Sequence, residues 1–186
     1  LTLLCCSGVL SGQETTWAID TSRSEIGFIS KILVSEVDGH FTDYSSSIKT
    51  SDNQFENARI EVTIQAGSID TENSKRDDHL RSEDFLYVEK YPEITFESLS
   101  FTKTVEDMYT MKGELTIRGI TKEEVFEAEY LGLTQEGDHQ RAEFQVTGSI
   151  NRFDYNVDLN SLFSKGFFLG REIEIVCDVS LLTLNH

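Results

Sequence analysis

Near the end of the chain, Ile173, Ile175, Cys177, Val179 and Leu181 alternate with Glu172, Glu174, Val176, Asp178 and Ser180. A two-residue period places the two sets on opposite faces of a β-strand, so this segment must bury one face and wet the other. The same rhythm recurs. Ile60, Val62 and Ile64 alternate with polar residues from Arg59 to Ala66. Ala142, Phe144, Val146, Gly148 and Ile150 oppose Glu143, Gln145, Thr147 and Ser149. Leu115 and Ile117 share a face within Tyr109–Arg118, as do Ile26, Phe28 and Ser30 after the extended start at Trp17–Asp20. Glu123 to Leu133 alternates imperfectly, because Val125-Phe126 puts an apolar residue on each face. Asp38-Gly39, Asp52-Asn53, Gly119 and Gly137-Asp138 supply turn signals between these runs. The pattern predicts an all-β domain of about eight antiparallel strands, and closure into a barrel removes the exposed edges. A sandwich satisfies the alternation as well.

One segment breaks the rhythm. Gly67 to Phe96 gathers Arg76, Asp77, Asp78, His79 and Arg81 and holds the one proline, Pro92. A short helix over Ser74–Ser82 is expected there, capped by Asp70 or Thr71, with Leu80 as its clear apolar contact. So short a helix needs tertiary support. Tyr91-Pro92 then returns the chain to an extended path.

With 186 residues the chain fits one domain. The balance of 16 basic and 33 acidic residues leaves a net charge of −17, which repels phosphate backbones and argues against nucleic-acid binding. The front, LTLLCCSGVLSG, is an apolar run too short to span a bilayer. It reads as a truncated signal-peptide remnant over residues 1–12, with Val9 and Ser11 suiting cleavage near Gly12. The expectation is an exported, periplasmic single domain over residues 13–186. Lipid anchoring through Cys5 or Cys6 fits less well, because Leu4 or Cys5 would precede the acylated residue. Without the leader, Cys177 has no disulfide partner and reads as a small buried hydrophobe.

Several motifs in order resemble the YceI-like family of bacterial exported proteins: WAID at Trp17–Asp20, SID at Ser68–Asp70, RDDHLRSEDF at Arg76–Phe85, YPEITF at Tyr91–Phe96, GELTIRGITK at Gly113–Lys122 and INRFDYNV at Ile150–Val157. The resemblance spans Trp17 to Leu184. It implies a lipocalin-like antiparallel barrel with one short helical segment, holding a polyisoprenoid chain or similar amphiphile, such as a quinone or prenyl phosphate, without catalytic residues. That ligand is the one cofactor-like group implied. One departure stands out: the family often carries Gly after the Arg-Phe-Asp element, where this chain has Tyr155-Asn156, whose bulk would narrow a pocket mouth.

The candidate site residues divide into apolar and polar sets. Phe28, Phe41, Leu80, Phe85, Phe96, Phe144, Phe153 and Phe167 would form apolar walls, with Phe28, Phe96 and Phe144 inward by parity. Together with Trp17 and Phe168 they exceed what a small barrel needs for a solid core, although a packed core is the competing reading. Arg76, His79 and Arg152 are candidates for a polar head group. The structural alternatives are a network of Arg76, Asp77 and His79 that fixes the helix, and a pairing of Arg152 with Asp77 or Asp154. Asp77 and His79 could also serve a hydrolase, but no nucleophile or oxyanion motif accompanies them, and His40, His139 and His186 offer no metal-ligand spacing. The reading is therefore a binding protein rather than an enzyme. A ligand-free module with an acidic face is the other alternative, and transient membrane contact and a homodimer stay open.

Overall fold

The computed structural model describes residues 14–32, 35–51, 54–157 and 169–184. The expected leader, Phe167, Phe168 and the expected turn at Asp52-Asn53 lie outside them. In chain order the elements are β1 (Glu14–Ile19), β2 (Glu25–Ile32), β3 (Ser35–Phe41), β4 (Tyr44–Ser51) and β5 (Gln54–Gln65). A 3₁₀ turn (Ala66–Ser68), β6 (Ile69–Asp70) and α1 (Ser74–Arg81) follow. Then come β7 (Glu93–Val105), β8 (Met108–Ile117), β9 (Ile120–Glu136), β10 (His139–Asn151), a second 3₁₀ turn (Arg152–Tyr155) and β11 (Leu169–Thr183).

Every described pairing is antiparallel, and the strands β1-β4-β5-β7-β8-β9-β10-β11 close on themselves through β1 and β11. This is the expected eight-stranded barrel. Its seam is built in two parts along the free edge of β11. β1 pairs with the late residues, Leu181 to Thr183, while β2 pairs over Leu169 to Asp178 and carries β3 and β6 outward. The barrel is thus tightly sutured at one end and splayed at the other.

The hairpins follow their turn residues. Arg118 and Gly119 both adopt positive φ (52° and 71°) between paired Ile117 and Ile120, the backbone that a two-residue turn needs to match strand twist. Gly137 (φ 61°) opens the turn between Glu136 and His139. Asp38-Gly39 departs from expectation, since both residues lie inside β3, opposite Ile29 and Phe28. A Cβ on Gly39 would stand 2.4 Å from Phe28 Cζ and 2.8 Å from Thr71 Cγ2. This glycine serves a close approach across the sheet and not a reversal.

The helix cap also differs. Asn73 accepts from the Arg76 amide at 3.1 Å, while Thr71 is engaged elsewhere: its amide and hydroxyl both donate to Asp77 Oδ1. Arg81 ties the helix to the chain before it, donating to the carbonyls of Gly67 (2.8 Å) and Ile69 (2.6 Å). Asp77 in the first turn and His79 and Arg81 in the last also complement the helix dipole. These side-chain clamps give an eight-residue helix the tertiary support it lacks in isolation.

Candidate functional site

The barrel interior has two unlike halves. At the sutured end, Trp17, Phe55, Phe101, Tyr109 and Phe144 are buried together. Their rings pack on one another: Phe101 stacks on Tyr109 at 4.7 Å, Phe55 meets Phe144 edge-on at 4.9 Å, and Trp17 sits 5.1 Å from Phe55. The Trp17 indole N–H donates to Thr50 Oγ1 at 3.0 Å, so the largest buried ring leaves no polar atom unpaired. This end is solid.

Toward the splayed end the same inward positions enclose a cavity of about 640 Å³, which ends on Phe55, Phe101 and Phe144. That volume lies within the range of about 300–1,000 Å³ usual for small-molecule sites. Its wall consists of the inward residues of the alternating strands, among them Ile60, Val62, Ile64, Leu115, Ile117, Ile173 and Ile175. Three wall phenylalanines lie where a neighbouring strand has no side chain. A Cβ on Gly39 would fall 2.4 Å from Phe28, on Gly113 2.4 Å from Phe96, and on Gly148 2.5 Å from Phe126. Each ring therefore occupies the space of a missing side chain on the adjacent strand instead of projecting across the lumen. Interiors otherwise pack to near-crystalline density; here the glycines let large aromatics clad the wall while the centre stays open.

Polar groups gather on α1 and at the end of β10. Asn73, Arg76, His79 and Arg152 all contribute to the lining. Arg76 donates to Thr71 Oγ1 (2.7 Å) and to the Thr71 carbonyl (2.6 Å), so its charge is oriented by neutral acceptors. No carboxylate among the described residues lies within ion-pair distance of it. His79 is half-buried, edge-on to Phe85 at 4.9 Å, with Nε2 3.5 Å from Asp84. Arg152, 4% exposed, donates to the carbonyls of Gly170 (2.7 Å) and Val157 (2.6 Å). Those carbonyls, not Asp77 or Asp154, are the partners that bind the second 3₁₀ turn to the start of β11. Asp77 likewise pairs through Thr71 rather than directly with Arg76, so of the expected ion-pair and hydrogen-bond network the Arg76–Asp77 link is made of hydrogen bonds relayed by Thr71. Among the described residues no group of three or more potential ligands could hold a metal.

The structure brings most of the expected apolar set together. Phe28, Phe41, Leu80, Phe85, Phe96 and Phe144 all face the cavity. Phe153 does not: its ring lies against the guanidinium carbons of Arg152 (4.4 Å) and Arg171 (5.3 Å). Continued from Ile150, the two-residue period of β10 gives the inward place to Arg152 and turns Phe153 away from the cavity. Phe167 lies outside the described residues. Tyr155, suspected of narrowing the mouth, is fully buried in the wall with its hydroxyl donating to Glu124 at 2.7 Å. Burial and the Glu124 carboxylate raise its pKa well beyond that of an ordinary phenol. Cys177 also lines the wall, and burial pushes its thiol up to about 11. Sequence reasoning did not identify Gly39, Gly113, Gly148, Phe126 or Asn73 as site residues. Only cross-strand register reveals the glycine–ring pairs.

Known proteins share this architecture. A family model described as the YceI-like domain matches residues 17–181. A UPF0312 protein of Staphylococcus aureus (strain N315) is 34% identical over 164 residues, covering 86% of this chain and 93% of that protein. The crystal structure of Campylobacter jejuni YceI protein superposes with a TM-score of 0.73 at 30% identity, covering 84% of this chain and 90% of the other. Burkholderia cenocepacia BcnA gives a TM-score of 0.75 at 22% identity, covering 89% and 99%. A polyisoprenoid binding domain from Saccharophagus degradans, implicated in plant cell wall breakdown, gives 0.70 at 12% identity, covering 91% and 98%. The last two likenesses concern the fold alone.

Proposed function

The chain belongs to the YceI-like family, and from that premise we propose that it is a binding protein that carries a long-chain isoprenoid or similar amphiphilic lipid in its barrel. The observation that carries this reading is the cavity of about 640 Å³ held open inside a closed barrel, apolar along its walls and edged by Arg76 and His79. Apolar area withdrawn from water stabilises by roughly 25 cal/mol per Å², so a chain filling this lumen gains affinity along its whole length. The Saccharophagus degradans neighbour, a polyisoprenoid binding domain, adds support at the level of the fold.

In this reading the tail rests on Phe55, Phe101 and Phe144, and the head group lies toward α1. Entry requires α1 and the segment up to Pro92 to move aside; the other expected opening, the loop between Phe153 and Gly170, lies largely outside the described residues. The apolar leader supports export to an envelope compartment, where such a carrier would meet membrane lipids. A hydrolase built on Asp77 and His79 has less support, because Thr71 occupies Asp77 Oδ1 with two hydrogen bonds.

Organic extraction of the purified full chain, followed by mass spectrometry of the extract, tests the proposal. An isoprenoid species at near-equimolar amount is the expected result. A folded protein that yields no lipid, and takes up none from added geranylgeranyl phosphate, would overturn it.

A further inference from the structure

The cavity wall contains one polar anomaly. Ser30 continues the inward face of β2 after Ile26 and Phe28, and all three line the cavity. It pairs in register with Val37 on β3 and Ile173 on β11, and Ile173 pairs in turn with Ile150 on β10. The residue is 5% exposed, and its hydroxyl oxygen is the one buried side-chain N or O among the described residues without a hydrogen-bond partner. Buried hydroxyls in native proteins are nearly always satisfied, and leaving one unmade costs free energy that an alanine would avoid. Among the described residues, the other polar side chains around the lumen have protein partners: Asn73 on the Arg76 amide, Arg76 on Thr71, His79 on Asp84, Arg152 on Gly170 and Val157. Ser30 alone among them is uncommitted.

We propose that Ser30 is a hydrogen-bonding subsite within the lumen, and that the ligand it serves carries an uncharged oxygen, such as a carbonyl, at the level of Val37, Ile150 and Ile173. This inference rests on the lipid-binding reading and chooses within it. A serine hydroxyl reaches the lumen by rotation about a single side-chain bond between staggered wells. It can offset the desolvation of one neutral oxygen. It cannot compensate a phosphate, whose burial among valine and isoleucine would need several donors or a cation. An anionic head group would stay at Arg76, so the two head-group chemistries use different residues.

The test is equilibrium competition against a fluorescent apolar dye on the purified full chain, with three probes: geranylgeranylacetone, squalene and geranylgeranyl phosphate. Ser30→Ala should weaken geranylgeranylacetone by about three- to tenfold, the loss of one net hydrogen bond. Squalene should bind as before, geranylgeranyl phosphate should respond to Arg76→Ala instead, and Ser30→Thr should restore the ketone. The ligand-free Ser30→Ala protein should melt no lower than wild type, since it loses an unsatisfied hydroxyl. Equal affinity of Ser30→Ala and wild type for the ketone overturns the subsite while leaving the carrier intact, as does an equal loss for ketone and squalene. A melting temperature several degrees lower would mark the hydroxyl as part of the fold and overturn it too. If none of the three probes binds wild type, the carrier reading fails and takes the subsite with it.

Discussion

The two ends of this barrel are made from the same materials and behave as opposites. At the sutured end Phe55, Phe101, Tyr109 and Phe144 pack ring against ring and leave no lumen. Toward the splayed end Phe28, Phe96 and Phe126 are equally large, yet each lies over a glycine of the adjacent strand and the centre is hollow. The number of aromatics does not decide whether a barrel is filled. What the neighbouring strand places beneath each ring does.

The largest expected effect breaks the solid end. Phe55 touches Trp17, Tyr130 and Phe144, so Phe55→Ala should cost about 3–5 kcal/mol, measured by denaturant unfolding. The hollow end should tolerate truncation better, because its rings lack contacts on the lumen side. Phe28→Leu should cost less than about 1.5 kcal/mol in the same measurement.

A second prediction converts one end into the other. At Gly148 the atoms that a Cβ would crowd all belong to the Phe126 ring. Gly148→Ala should therefore tip that ring into the lumen, costing about 1–3 kcal/mol by overpacking and reducing lipid uptake more than stability. Adding Phe126→Leu should recover binding, a coupling that a double-mutant cycle would reveal.

The smallest effect concerns acid. At the sutured end Arg141 is buried and bonded to Glu136 (2.8 and 2.9 Å), Asp20 (2.9 Å) and the Ser180 hydroxyl. Hydrogen bonds from Ser22 and then Arg141 hold the Asp20 carboxyl below its ordinary 3.8, against an opposing push from burial. Arg141 does the same for Glu136, ordinarily 4.5. Both folded-state values are depressed, so their contribution is complete above those ordinary values and disappears as pH falls through the lower folded ones. Unfolding followed from pH 6 to pH 3 should show this loss, and Arg141→Gln should flatten the slope.

Much of this was legible in advance where one strand alone held the information. The inward faces of β5, β8, β10 and β11 follow directly from their two-residue period, and Val125-Phe126 resolves as half-exposed Val125 beside buried Phe126. What escaped is information held between strands. Asp38-Gly39 resembles a turn because Asp-Gly usually makes one, but Gly39 exists for the Phe28 ring across the sheet. Asp70 and Thr71 are the caps the local pattern offers, yet Asn73 takes that place, because Asp77, six residues beyond Thr71, claims the Thr71 hydroxyl only in three dimensions. Phe153 enters the expected wall as one more aromatic, while the period that carries Ile150 inward gives the next inward place to Arg152. The hollow itself has no local signature; it emerges when glycine and ring meet in register.

Native mass spectrometry of wild type, Gly148→Ala and Gly148→Ala/Phe126→Leu, each incubated with geranylgeranylacetone, tests the central claim most directly. The wild-type and double-variant proteins should each carry one added lipid mass, and Gly148→Ala should fly largely bare. Wild type without bound lipid, or Gly148→Ala carrying as much as wild type, would contradict the account.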